Sequence, residues 1–242
     1  MDNKFVELVK FENFNPRFLG IFTNPFYFLR RSLYSALYQQ RSVLSGVLLD
    51  FGCGRKPYKN LFSVQNYIGV DIEVSGHPHR NSQVDVFYDG KTIPFSDQYF
   101  DCFLCSEVFE HLFNLEQILS EIHRVTKVGG RGIITIPFCW PEHEQPYDYA
   151  RYTSFAIKQL LEKHCFEVIS QKKTGGFFES VYQMFTLYVY SLFETRSQVL
   201  NFLFTVMFIG PLNVIGCLLI FLMPRQMDLY HNQIIVVRRL AK

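Results

Sequence analysis

The stretch DFGCGRKPY, Asp50 to Tyr58, follows directly on the apolar run VLLD, and its residue types suit a ligand site. A glycine at the end of a buried parallel strand lets backbone approach a ligand closely, and in doubly wound sheets the crevice at the strand ends is where nucleotides bind. Asp71 comes 21 residues after Asp50, at the end of the next apolar run, YIGVDI, where a carboxylate can accept both hydroxyls of a ribose. Pro57 stands where the dinucleotide fingerprint needs its third glycine. The spacing therefore predicts a nucleoside site without a phosphate cradle.

These residues need rigid elements to hold them. From Gly46 onward, short apolar runs alternate with helical patterns: VLLD (47–50), YIGVDI (67–72), FDCFLCS (100–106), GIITIP (132–137) and FEVISQ (166–171), with NQIIVVRRL (232–240) much later. Runs apolar on both faces describe a parallel sheet covered by helices, an α/β architecture. A helix is expected from Asn114, which forms a capping-box-like pair with Gln117, carrying Ile118, Ile122 and Val125 on one face and stopping at Gly129-Gly130. A second helix is expected from Ser154 to about His164 behind Thr153 as cap. Before the sheet, residues 1–45 are aromatic and basic, and Asn24-Pro25 reads as the start of a helix through about Gln39.

Composition narrows the function classes. The chain has 242 residues with 24 Lys+Arg against 22 Asp+Glu, so its formal charge of +2 provides no field for wrapping nucleic acid. Six cysteines lie in or beside apolar runs, which suits a reducing compartment, and the N-terminus has no uninterrupted apolar stretch of the kind a cleaved signal peptide carries. Cys102 and Cys105 form a C-x-x-C, but an odd spacing in a strand points the two side chains to opposite faces. No metal-ligand set is legible in the sequence.

Residues 177–224 break the pattern, because no charge occurs between Arg196 and Arg225. About 20 apolar residues in one helix would cross a bilayer, yet Gly210-Pro211 divides the run into two halves, each too short alone. If NQIIVVRRL pairs with FEVISQ, both ends of the apolar insert lie on one side of a membrane, and a shallow helical hairpin in one leaflet is expected. The alternative is an interior or dimer-forming helix pair.

From Gly46 to Cys165, the order DFGCG, VDI, DGKTIPFSDQYFD, SEVFEH and RVTKVGGRGIITIP resembles a class I S-adenosylmethionine-dependent methyltransferase of the type 11 kind. The resemblance implies a Rossmann-like seven-stranded sheet with helices on both faces, here with an N-terminal helical cap (1–45), the methyltransferase domain (46–176 plus 228–242) and a hydrophobic helical insert (177–227) before the last strand. It implies that S-adenosyl-L-methionine is the cofactor. Its amino-acid part would be wrapped by Asp50, Phe51, Gly52, Cys53 and Gly54, its ribose held by Asp71, and its adenine placed by Ile72, Asp89 and Gly90, with Asp85 a rival to Asp89. Ser106 and Glu107 would lie near the methyl donor, followed by the Glu110-His111 pair, in which His111 has a packing role as its simpler reading.

The GCGxxPY form and the segment PFCWPEHEQPYDYARYT resemble a bacterial subgroup associated with surface-polysaccharide biosynthesis. That resemblance places acceptor recognition on Trp140, Tyr147, Asp148 and Arg151, unless Arg151 and its tyrosine neighbours merely pin the loop, and general-base chemistry on His143 with Glu144. The insert, with Phe26, Tyr27 and Phe28 beside Arg30 and Arg31, suggests peripheral or monotopic attachment to the cytoplasmic face of an anionic membrane and a saccharide or lipid-linked acceptor. The rival readings are a membrane-associated scaffold without catalysis and a methyltransferase of a small lipophilic metabolite. Self-association through the insert stays open.

Overall fold

The computed structural model describes residues 3–73 and 83–241. The chain divides into two compact units, one formed by residues 37–172 with 233–242 and the other by residues 1–36 with 173–232.

A seven-stranded mixed sheet organises the first unit. Its strands are β1 (Val47–Phe51), β2 (Asn66–Ile72), β3 (Val86–Tyr88), β4 (Phe100–Ser106), β5 (Thr126–Pro137), β6 (Phe166–Thr174) and β7 (Asn232–Arg239), in the order β3-β2-β1-β4-β5-β7-β6. β1 pairs in parallel with both β2 and β4, and β3 and β5 extend the parallel part outward. β6 and β7 run antiparallel, since His231 N donates to Thr174 O at one end of the pair and Leu240 N to Cys165 O at the other. The central strands are apolar on both faces because both are covered: Leu48, Leu49, Phe51, Phe103, Leu104 and Ile134 are all fully buried.

Helix α4 (Leu115–Val125) lays Ile118, Ile122 and Val125 into this core, as its spacing predicts. Asn114 stands at the N-cap position as expected, and its pair with Gln117 forms, but the cap bond does not. Its Nδ2 donates to Gly90 O (2.9 Å) and Gln117 Oε1 (3.1 Å), tying the helix to the turn after β3. Gly129-Gly130 does not stop the helix either, because β5 has already begun at Thr126. The glycines lie where the β4–β5 register shifts, between Phe100↔Thr126 and Cys102↔Arg131. Helix α5 (Ser154–Lys163) begins as predicted, with Thr153 Oγ1 accepting from Ala156 N at 3.2 Å.

The second unit is helical: α1 (Asn3–Phe14), α2 (Gly20–Thr23), most of α3 (Tyr27–Gln39), α6 (Phe177–Phe193) and α7 (Gln198–Leu222). Asn24 does not cap α3. Its Oδ1 accepts from Phe26 N (2.8 Å), forming a turn that delays the helix to Tyr27. The expected break at Gly210-Pro211 is also absent. One π-helical turn, Thr205–Ile209, absorbs the register change that the missing proline N–H imposes, and α7 runs on as a single 25-residue helix. Gly210 serves close packing instead, since a Cβ there would lie 3.1 Å from Phe22 Cα.

α6 and α7 form a hairpin in which Tyr182 Oη donates to Leu212 O (2.7 Å) and Phe193 stacks on Phe204 at 4.7 Å. Its polarity is inverted relative to a helix pair in water. Ser180, Gln183, Thr186, Thr205 and Asn213 are buried, while Tyr188 (62% exposed), Met207 (65%), Leu218 (64%) and Phe221 (88%) face outward. Most of the inner polar groups are hydrogen-bonded, Ser180 Oγ and Asn213 Oδ1 excepted: Gln183 Oε1 accepts from Phe28 N and Leu29 N, its Nε2 donates to Pro25 O, and Asn213 Nδ2 donates to Ile21 O and Asn24 O. Among the described residues, α7 is the one helix long and apolar enough to cross a membrane.

Candidate active site

The strand order reverses between β1 and β4, which opens a crevice at the carboxyl ends of the parallel strands. β1 leads into Gly52 (φ +71°) and Gly54 (φ +48°). A Cβ on Gly52 would come within 2.3 Å of Val108 Cγ2, whereas one on Gly54 would meet nothing within 4 Å, so the turn is tight on its inner side and open at Gly54. Asp71 fixes this turn from β2: its Oδ2 accepts from Gly54 N and its Oδ1 from Ile72 N, both at 2.8 Å. Cys53 is buried under the turn, beside Gly69.

Ile72 abuts Gly90, where a Cβ would lie 3.2 Å from Ile72 Cδ1, so the turns after β2 and β3 meet as the resemblance implies. The rival carboxylates part here. Asp85 is bound by the Lys56 ammonium and by Gly69 N (2.7 Å), and these bonds outweigh burial to lower its pKa. Asp89 sits exposed in its own turn, where Oδ1 accepts from Thr92 N (2.7 Å) and Lys91 N (2.8 Å), which holds its carboxyl below the usual range. Lys56 (φ +51°) is buried, so the departure from a second small turn supplies an internal cation that locks the loop.

Asp50 and Phe51 are buried. Burial pushes Asp50 up to about 7, against the hydrogen bond from Tyr67 Oη (2.7 Å) and the charge of Lys56. A carboxyl that binds its proton more tightly when folded lowers stability as pH rises from its unfolded pKa, near 3.8, through 7. Asp50→Asn should therefore gain stability over the parent, by about 2–3 kcal/mol more at pH 8 than at pH 5, in urea unfolding of the ligand-free chain. An equal gain at both pH values would show that Asp50 titrates normally.

At the end of β4, Ser106 Oγ bonds Thr135 Oγ1 (2.8 Å), and Glu107 takes a left-handed φ of +58° while its N donates to Thr135 O (3.0 Å). A second left-handed glutamate, Glu144 (φ +51°), lies in the loop after β5, and such conformations in a non-glycine residue cost about 1 kcal/mol or more. That loop is pinned to the β4 side by Tyr149 N and Ala150 N, which donate to Glu110 O. Within it, Arg151 grips Asp148 with Nη1 to Oδ1 and Nη2 to Oδ2, both 2.6 Å, and reaches the carbonyls of Trp140 (3.3 Å) and Pro141 (3.1 Å). Asp148 is raised by burial but pulled down to about 2 by these Arg151 hydrogen bonds. Asp148 and Arg151 thus shape the loop, while Trp140 and Tyr147 are half-buried along it.

Asp148 Oδ2 also accepts from His143 N (2.9 Å) and meets His143 Nδ1 at 3.1 Å. Burial, then the neighbouring His111, lowers the His143 pKa, which favours the neutral imidazole. The His111 and His143 rings lie 4.8 Å apart, and His111 Nε2 lies 3.7 Å from both Glu110 Oε1 and Glu144 Oε1. The loops after β4 and β5 therefore gather Glu110, His111, His143 and Glu144. Sequence reasoning places only the last two in the site; the available signal was Glu107, Glu110 and His111 crowded directly after a strand.

Residues 49–134 match the family described as methyltransferase domain. The match and the fold together support a class I methyltransferase domain. Its fold is similar to an S-adenosylmethionine-dependent methyltransferase of Archaeoglobus fulgidus, with TM-score 0.53 and 18% identity over 98% of this chain and 100% of that one. It is also similar to phosphoethanolamine N-methyltransferase 2 of Haemonchus contortus in complex with S-adenosyl-L-methionine, with TM-score 0.52 and 15% identity over 96% of this chain and 60% of that one. Uncharacterized protein MJ1123 of Methanocaldococcus jannaschii is 32% identical over 99 residues, covering 40% of this chain and 47% of that protein. The chain spans less than half the length of the curated relatives it matches.

The methyltransferase-domain match supports S-adenosylmethionine as the ligand of this crevice. The residues fit it: the open face of Gly54, a carboxylate at the end of β2 and the Ile72–Gly90 slot are what an amino acid, a ribose and an adenine require.

Proposed function

We propose that the protein methylates a hydroxyl of a saccharide or lipid-linked saccharide at a membrane surface. The observation that carries this reading is the inverted polarity of the α6–α7 hairpin, whose largely hydrogen-bonded polar interior and apolar exterior match a bilayer better than water. An enzyme held there meets acceptors with lipid anchors. Membrane attachment is read as monotopic, because His231 N bonds Thr174 O and Phe177 N bonds Gln226 O, so the chain enters and leaves the hairpin at the same end.

When bound, S-adenosylmethionine supplies an electrophilic methyl group, whose transfer forms an oxygen–carbon bond while the electron pair of the broken carbon–sulfur bond stays on sulfur. The protein has to align the acceptor and take the hydroxyl proton. His143, with Nδ1 on Asp148, and the adjacent Glu144 are the groups for that proton, and Trp140 and Tyr147 supply ring faces for a sugar. The test uses the full chain in anionic nanodiscs with methyl-labelled cofactor and extracted lipid-linked saccharides. Label should enter the lipid-extractable fraction, and His143→Ala should slow it by about a hundredfold or more. Equal labelling by His143→Ala and Glu144→Ala would remove the pair from the reaction.

A further inference from the structure

Glu110 is fully buried, and neither of its carboxylate oxygens has a hydrogen-bond partner. Leaving such a group unsatisfied costs several kcal/mol, on the order of what a buried charge loses with its partner, unless something else is meant to satisfy it. His111 Nε2 lies 3.7 Å from its Oε1 and is itself buried without a partner.

The tautomers sharpen the problem. His111 Nδ1 lies 2.9 Å from Tyr147 O, and a carbonyl only accepts, so Nδ1 carries the hydrogen and Nε2 presents a lone pair. His143 Nδ1 lies 3.1 Å from Asp148 Oδ2, an acceptor, and farther, 3.5 Å, from the donor Arg151 Nη2; the closer contact puts the hydrogen on Nδ1 and a lone pair on Nε2. Neither carboxylate oxygen of Glu110 nor the Nε2 of His111 that faces it is thus hydrogen-bonded. One ligand atom each from Glu110, His111 and His143 lies within 4.8 Å of the others. Two imidazoles fixed through their far nitrogens by a carbonyl and a carboxylate, with one carboxylate beside them, have the outer-shell arrangement that metal-binding histidines require.

We propose that Glu110, His111 and His143 bind a divalent first-row cation of the zinc class. Two nitrogens and a carboxylate oxygen, with no thiolate among them, suit zinc, iron(II), manganese or cobalt over softer ions, and leave positions open for an acceptor. Bonds of about 2.0 Å place tetrahedral ligands about 3.3 Å apart, so side-chain rotation must close the ligand separations, which reach up to 4.8 Å, by at most about 1.5 Å. The site deepens the methyl-transfer reading and rests on it for its purpose: a cation there acidifies an approaching hydroxyl, His143 becomes a ligand, and Glu144 accepts the proton.

The test titrates tag-free, EDTA-dialysed full-length protein in detergent with Co2+, followed by its visible d–d absorption, and then displaces it with Zn2+. One Co2+ per chain is expected, with affinity reduced at least a hundredfold in His111→Ala and Glu110→Gln, and about tenfold in Asp148→Asn, which weakens the outer hydrogen bond to His143 together with the Arg151 pair. Cofactor binding, measured calorimetrically in each variant, reports whether the fold is kept. Protein that binds S-adenosylmethionine but gives no cobalt band, or a band that persists in both ligand variants, overturns the metal site. Cobalt binding lost in the variants, but without methyl transfer to any hydroxyl, leaves the site standing and overturns the function proposed for it.

Discussion

Asp71→Ala is expected to weaken S-adenosylmethionine binding by about a hundredfold or more, because a carboxylate that accepts from two ribose hydroxyls contributes roughly 1.5–3 kcal/mol per charge-assisted bond. The loss has a second source in the protein itself. Asp71 Oδ2 holds Gly54 N and its Oδ1 holds Ile72 N, so removing the carboxylate also frees the turn that faces the cofactor. Asp71→Asn keeps one acceptor and should fall between the two. Calorimetry on the detergent-solubilised chain reads both effects, and an Asp71→Ala protein that is folded and binds as well as the parent would take Asp71 out of the site.

The double variant Leu218→Glu, Phe221→Glu should move the protein from the membrane pellet into the supernatant. Each side chain is largely exposed on α7, and burying such a group in an apolar phase is worth about 1.5–3 kcal/mol, so losing two of them weakens partitioning by at least about a hundredfold before the cost of the charges is added. Because neither residue supports the packed interior of the hairpin, the variant should stay folded. Flotation with anionic liposomes provides the measurement, and a variant that floats as well as the parent would mean that α7 faces something other than lipid.

The sheet was largely legible because its central strands are apolar on both faces, and a run such as VLLD or FDCFLCS, bounded by polar residues and too short for a helix, fits a buried strand. β3 was not, since Val86–Tyr88 is three residues long with only Tyr88 buried. The errors share a cause: Asn24, Asn114, Gly129-Gly130 and Gly210-Pro211 each carry a local signal that a tertiary contact or a register shift overrides. Asn114 gives up its cap to hold Gly90, and Pro211 is absorbed by a π turn. In the site, the glycine turn and Asp71 were visible because backbone conformation demands particular residue types there. The Glu110, His111 and His143 cluster was hidden because the loop after β5 folds back over the end of β4, and no local pattern reports that return. Asp148 and Arg151 read as acceptor ligands but spend their strongest contacts on each other.

The position of β7 has a bearing on how the molecule is made. β7 lies between β5 and β6, yet residues 175–231 come before it in the chain. During synthesis the strands that carry the cofactor turns can pair early, but the gap beside β5 cannot close until the whole apolar hairpin has emerged. Ile235 and Val237, fully buried in the finished sheet, then seal that gap. Synthesis of the hairpin therefore precedes completion of the sheet, so a nascent chain halted before β7 would expose an open sheet edge and an apolar hairpin together.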